Sequence, residues 1–181
     1  NDAQIDLRLQ QLLERLREDK LNVAFVAEFS RGKTELINSI FFSDYGQRLL
    51  PSSAGRTTMC PTELLYDPSK PTSLQLLPIE TRTSDATTTE YKRYLEEWTI
   101  LPFDVSDRDN MVDVFKEVSR TKSVSLEEAE RYGLFDTSST DDALAVNADG
   151  TVDIPCWRYA VINFPHPLLE QRLVILDTPG L

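Results

Sequence analysis

The chain has 181 residues and a formal net charge of -11, from 19 Lys and Arg against 30 Asp and Glu, with 40% of it hydrophobic. That length supports one domain with a real core, and the acidic balance argues against nucleic acid and against a direct grip on anionic lipid, because both need a basic surface. No apolar run reaches the ~18 residues of a membrane span, and the charged start NDAQIDLRLQQLLERLREDK does not read as a signal peptide.

Along the chain, Ile5, Leu9, Leu12, Leu13 and Leu16 recur at helical spacing opposite a charged face, with Asp2 as cap, so residues 1–20 read as a leading amphipathic helix. Residues 21–26 read as a short buried strand. A loop follows, and then a helix over 33–42 with Leu36, Ile37, Ile40 and Phe41 on one face. LLPSSAGRTTMCP is a loop dominated by Pro, Ser, Gly and Thr. TELLYD and SLQLLPIE read as two strands of a hairpin joined by PSKPT.

Residues 81–150 read as a helical and acidic insert. Tyr91, Tyr94, Leu95 and Trp98 space as one helix face, and Met111, Val114, Phe115 and Val118 as another. SLEEAERYG carries a capping box, Ser125 with Glu128, and a stop glycine, Gly133. The stretch DTSSTDDALAVNADG is acidic and loop-like. Two strands follow, at about 157–164 and 172–176, joined by PHPLLEQ. The order is an α/β pattern. The chain stops at LVILDTPGL, an apolar strand running into a turn, and reads as a single incomplete domain, a fragment of a longer fold.

Three segments carry chemistry. The first is VAFVAEFSRGKTELINSIF, a strand, a loop and a helix. A phosphate site needs converging backbone N–H groups at a helix N-terminus, a lysine for the outer phosphates and a hydroxyl for magnesium. Gly32 allows close backbone approach, Lys33 is the phosphate lysine and Thr34 the magnesium ligand. Ala27 stands where such loops place a glycine; it is small but lacks glycine's ready access to positive φ. The second segment is the strand ending at Asp177, three residues before Gly180. An acid there reaches the magnesium shell, and the glycine N–H reaches the γ-phosphate. The third is GRTTMCPTE, where Thr57 and Thr58 are candidate ligands to magnesium and γ-phosphate. His166, flanked by prolines, reads as a turn residue. Trp98 and Trp157 read as packing, and the Glu-rich helix faces as solvated. Cys60 and Cys156 have no metal-ligand spacing and fit a reduced, cytoplasmic setting.

At these residues the chain resembles the dynamin superfamily of large GTPases, its bacterial members especially. AEFSRGKTELINSIF matches the family phosphate loop and helix at Glu28, Phe29, Ser30, Gly32, Lys33, Thr34, Leu36 and Asn38. LPSSAGRTTMCP resembles the family switch segment at Leu50, Pro51, Thr58 and Pro61, which favours Thr58 over Thr57. VINFPHPLLEQRLVILDTPGL looks like the strand pair leading to Asp-x-x-Gly. The likeness covers about residues 20–66 and 157–181.

The resemblance implies a P-loop NTPase three-layer α/β fold of the dynamin G-domain type: a mostly parallel sheet, helices on both faces and an antiparallel hairpin edge. It implies GTP and GDP as ligands, Mg2+ as cofactor, and catalysis involving Ser30, Lys33 and Thr58. Glu28, Phe29, Ser30, Arg31, Gly32, Lys33, Thr34 and Gly180 would contact nucleotide, and Thr34, Thr58 and Asp177 would serve the metal. A monovalent cation, K+ or Na+, would sit partly on the backbone of residues 53–55. Arg31 is a candidate in-built arginine finger; a solvent-facing or partner-binding arginine is the equally ready reading. The resemblance further implies a G-domain homodimer and a role in membrane or division-related remodelling. Membrane contact would come only through regions beyond this chain, with a cytoplasmic location, peripheral at the inner membrane in the longer protein. The rival readings are a P-loop enzyme using ATP, and a nucleotide-dependent scaffold that binds GTP but barely hydrolyses it.

Overall fold

The computed structural model describes residues 21–25, 30–46, 49–51, 60–136, 138 and 146–178, with side chains from Thr34 onward. The leading helix expected over residues 1–20 lies outside the described residues.

Strand β1 (Leu21–Phe25) leads towards helix α1 (Ser30–Phe41). Strands β2 (Thr62–Leu65) and β3 (Ser73–Pro78) follow, then the single-turn helix α2 (Thr88–Tyr91), strand β4 (Thr99–Pro102) and helix α3 (Arg108–Lys116). After them come β5 (Thr121–Ser125), α4 (Leu126–Arg131), β6 (Thr151–Pro155), β7 (Trp157–Asn163), α5 (Pro167–Glu170) and β8 (Leu173–Asp177). Six strands form one sheet in the order β1-β8-β2-β7-β3-β4.

The α/β class agrees with the expectation. The sheet is mixed: β1 with β8 and β2 with β7 run parallel, whereas β2 with β8, β3 with β7 and β3 with β4 run antiparallel. Antiparallel pairing therefore extends beyond the β3–β4 edge. The expected β2–β3 hairpin does not form, because β7 lies between them. Asn163, at the end of β7, explains how the linker tolerates this. Its Oδ1 accepts the Asp67 N–H at 2.7 Å, and its Nδ2 donates to the carbonyls of Asp67, Lys70 and Pro71 at 3.1, 3.2 and 3.0 Å. One buried amide thus satisfies backbone groups of the linker between β2 and β3.

Strand alternation sorts the sheet into two faces. On one, Leu64, Leu74, Leu76, Ala160, Ile162 and Ile175 pack against Ile37, Phe41 and Phe42 from α1 and its end, and against Met111, Phe115 and Val118 from α3 and the turn after it. Edge-to-face contacts of Phe115 with Phe42 at 5.6 Å and with Phe103 at 5.1 Å tie α3 to that core. The helical spacing of Met111, Phe115 and Val118 is therefore as expected, and Asp107 caps α3 by accepting the Asn110 N–H at 3.0 Å.

The other face carries Leu77, Val161 and Trp98, bordered by Leu65, Tyr91 and Tyr159. The helix expected through Tyr91, Tyr94, Leu95 and Trp98 stops after one turn. Trp98 Nε1 donates to the Tyr91 carbonyl at 2.9 Å, folding the chain back on the sheet and leaving Tyr94 and Leu95 exposed. Lys92 then reaches Glu63 on β2 at 2.6 Å, and the Tyr159 hydroxyl donates to the same carboxylate oxygen at 2.9 Å. Burial, followed by the Glu63 charge, pushes the Tyr159 hydroxyl far above its ordinary range.

Strands β5 and β6 form a separate two-stranded antiparallel sheet. With α4 they enclose Val124, Ala129, Tyr132, Val152 and Ile154 around Ile79. Ser125 caps α4 at the Glu128 N–H, 3.2 Å away, but the Glu128 carboxylate takes the Tyr132 hydroxyl, so only half of the expected box forms. Gly133 ends the helix at φ +66, the left-handed backbone that glycine adopts without strain.

Candidate phosphate and metal site

The site grows from the pairing of β1 with β8. Their parallel register sets Phe25 beside Asp177, so the strand that feeds the phosphate segment ends level with the acid. Helix α1 begins at Ser30, which puts Ser30, Arg31, Gly32 and Lys33 in its first turn. Backbone N–H groups at a helix start have no intrahelical acceptor, and the helix dipole favours an anion there.

Thr34 is the next residue. It is 2% exposed, and its Oγ1 donates to Asp177 Oδ2 at 3.0 Å across 143 positions of sequence; Asp177 is 1% exposed. A hydroxyl bonded to a buried carboxylate is charge-assisted, of order 1.5–3 kcal/mol. Two hard oxygen donors meet where α1 and the tip of β8 converge. That donor set suits magnesium, which binds through one or two protein oxygens and completes its shell with phosphate and water. On the other side of Asp177, the antiparallel register places Thr62 of β2 opposite it. Thr62 is fully buried and donates to the Cys60 carbonyl at 3.2 Å.

The buried face of α1 is displaced from the one its apolar residues suggest. Thr34, Ile37, Asn38 and Phe41 are buried, and Leu36 is 46% exposed. Asn38 joins Thr34 because it has a task one turn further on. Its Oδ1 accepts the N–H groups of Leu49 and Leu50 at 3.2 and 2.9 Å, and its Nδ2 donates to the Leu50 carbonyl at 3.0 Å. In the sequence Asn38 stands out only through the family resemblance; its place four positions after Thr34 is the signal that it shares the buried face.

The structure thus brings Thr34 and Asp177 together and sets Ser30 to Lys33 in the first helical turn. Ala27, Glu28, Phe29, residues 53–55, Thr57, Thr58 and Gly180 lie outside the described residues. Among the described residues, no group of three or more His, Cys, Asp and Glu side chains gathers to hold a metal. No described helix is long and apolar enough to cross a membrane.

Cys60, next to the third segment, is 2% exposed, and burial pushes its thiol up to about 12. Cys156 is half-buried; burial raises its thiol too, opposed by Arg120 and Lys122. Iodoacetamide at pH 8 should therefore alkylate Cys156 at least ~10-fold faster than Cys60 in the native protein, with both reacting after unfolding. Peptide mass spectrometry reads this directly, and equal native rates would refute the buried position of Cys60. His166 is a turn residue, as expected: its Nδ1 caps α5 by accepting the Leu168 N–H at 3.2 Å, and its ring packs edge-on against Phe41 at 4.9 Å.

No curated protein matches. Among solved structures, two similar chains come from an oligomerised bacterial dynamin pair, described as a mechanism for long-range sensing and tethering of membranes. The first is 20% identical and covers 96% of this chain and 18% of its own length, with a TM-score of 0.40. The second is 19% identical over 97% of this chain and 18% of its own, with a TM-score of 0.38. This chain is thus a small part of the length of either. The sequence model of the dynamin family matches residues 23–181, nearly the whole chain, and by that match the chain belongs to the dynamin family.

Proposed function

We propose that this chain is part of a G domain that binds GTP with magnesium and hydrolyses it to GDP and phosphate. The single observation that carries this reading is the buried Thr34–Asp177 hydrogen bond at the start of α1 and the tip of β8. The dynamin family is a GTPase family, and the choice of guanine rests on that membership.

The residues take these roles. The first turn of α1 offers N–H groups to the phosphates, and Lys33 supplies a cation to the outer ones. Thr34 and Asp177 hold magnesium, which when bound neutralises charge on the β- and γ-phosphates. Ser30 stabilises charge as the bond to the leaving phosphate opens. Thr58 serves the metal shell and the attacking water, and the Gly180 N–H meets the γ-phosphate. Glu28, Phe29 and Arg31 complete the nucleotide contacts, with K+ or Na+ held at residues 53–55. In the longer protein, G-domain pairing sets the rate, and membrane or division-related remodelling is done by other regions. A scaffold that binds GTP without turnover is the second reading; Ala27, in the place of a phosphate-loop glycine, favours it.

Phosphate release by the full-length protein, with GTP and with ATP, at two protein concentrations and in potassium or sodium buffer, tests the proposal. The expected result is GTP-selective release whose specific activity rises with protein concentration. Bound GTP without release would support the scaffold, and equal use of ATP would overturn guanine selectivity. Thr58→Ala is expected to leave GTP affinity within about threefold while lowering turnover at least ~10-fold. An unchanged rate would transfer that role to Thr57.

A further inference from the structure

We propose that Asn38 is a positioning residue for the reaction, fastening the Leu49–Leu50 segment to the phosphate-binding helix one turn beyond Thr34. The inference rests on the hydrolytic reading above and goes beyond it to a residue that touches neither nucleotide nor metal.

Asn38 is 6% exposed, and Leu49 and Leu50 are 3% and 0% exposed, so water does not readily stand in for the amide. Its three bonds, at 2.9 to 3.2 Å, engage both polar atoms of the side chain and span 11 and 12 residues of sequence. The segment it holds belongs to no strand, so the amide does there what a sheet ladder does elsewhere. Pro51 follows directly and biases Leu50 towards extended backbone.

Thr34 and Asn38 stand four residues apart on the buried face of one helix. Thr34 is bonded to the acid at the tip of β8, and Asn38 to the backbone two residues before the segment that carries Thr57 and Thr58. One helix turn joins the two attachments, so the amide holds the Leu49–Leu50 backbone at a fixed place relative to Thr34. Loss of the amide should loosen the reaction geometry while leaving the phosphate contacts of the first turn in place. The expected signature is a fall in kcat with little change in affinity.

The test uses the full-length protein and its Asn38→Ala and Asn38→Asp variants. It measures Kd for a non-hydrolysable GTP analogue, kcat and KM between pH 6 and 8, and thermal unfolding. Asn38→Ala is expected to keep Kd within about threefold and lose ~10-fold or more in kcat. Asn38→Asp keeps the shape and the acceptor for Leu49 and Leu50 but turns a carboxylate towards the Leu50 carbonyl. Protonation restores a donor, so its kcat relative to the parent should rise as pH falls, whereas that of Asn38→Ala should not.

A stable Asn38→Ala protein with parental kcat overturns the inference, as does a loss of affinity that matches the loss of rate. If Asn38→Ala fails to fold, a flat relative pH profile for Asn38→Asp overturns it instead. A parent protein that binds GTP and releases no phosphate overturns the hydrolytic reading, and the inference with it. Normal parent turnover with unaffected variants overturns the inference alone.

Discussion

Lys33→Ala in the full-length protein is expected to weaken GTP binding by at least ~100-fold, equivalent to about 2.7 kcal/mol, with thermal unfolding close to that of the parent. Lys33 stands in the first turn of α1, beside the residue that contacts Asp177. The helix start alone supplies N–H groups and a partial positive charge, worth on the order of 0.3–1 kcal/mol for an anion. That is too little to hold a nucleoside triphosphate in a chain whose net charge is -11. A full positive charge on the outer phosphates is the missing contribution, and charge-assisted bonds to phosphate are the strong ones. Alanine is a better helix former than lysine, so the helix itself should not suffer. Titration with a fluorescent GTP analogue, read beside a melting curve, decides the matter. Parental affinity in a folded Lys33→Ala protein would remove the phosphate-site assignment, and with it the hydrolytic reading.

The parts of this site that could be read from sequence are those carried by short local patterns. A strand, a loop with Gly-Lys-Thr and a helix announce themselves within about 20 residues, as does an acid ending an apolar strand. Their meeting at 3.0 Å depends on β8 pairing with β1 across the whole intervening chain, which no local pattern encodes. The α1 face illustrates the limit. Apolar spacing favours a face that includes Leu36, yet Thr34 and Asn38 take the buried positions because each has a specific hydrogen-bond partner there. A buried polar residue looks like a surface residue until its partner is known.

The missed strands have other causes. Strand β4 is a four-residue edge strand ending at Pro102, short and mostly exposed, so it shows little alternation. Strands β5 and β6 pair with each other across an intervening helix, and in TKSVS only Val124 is buried. Residues 91–98 have helical spacing, but the pull of Trp98 onto the sheet outweighs one turn's propensity. The displaced hairpin follows from β7 pairing between β2 and β3, and the Asn163 side chain satisfies the linker's backbone groups without the two strands being neighbours.

Thr34 and Asp177 should behave as one unit, and that is the sharper test of the site. Thr34→Val keeps the branched shape and removes the hydroxyl that donates to Asp177 Oδ2. Asp177→Asn keeps the side-chain outline and removes the charge. Each change takes one oxygen donor from the place assigned to magnesium, so each should raise the magnesium concentration for half-maximal turnover at least ~10-fold and lower kcat ~100-fold. Nucleotide affinity in EDTA should change far less, because the first-turn N–H groups and Lys33 remain. The decisive comparison is the double variant. Residues in direct contact with a shared function are non-additive, so it should lose about as much as the worse single variant and far less than the product of the two losses. Turnover measured across a magnesium titration for the parent, both singles and the double closes the cycle. Multiplicative losses would mean that the hydroxyl and the carboxylate serve separate tasks, and the buried hydrogen bond would then be a structural link between α1 and β8 instead of a metal-binding pair.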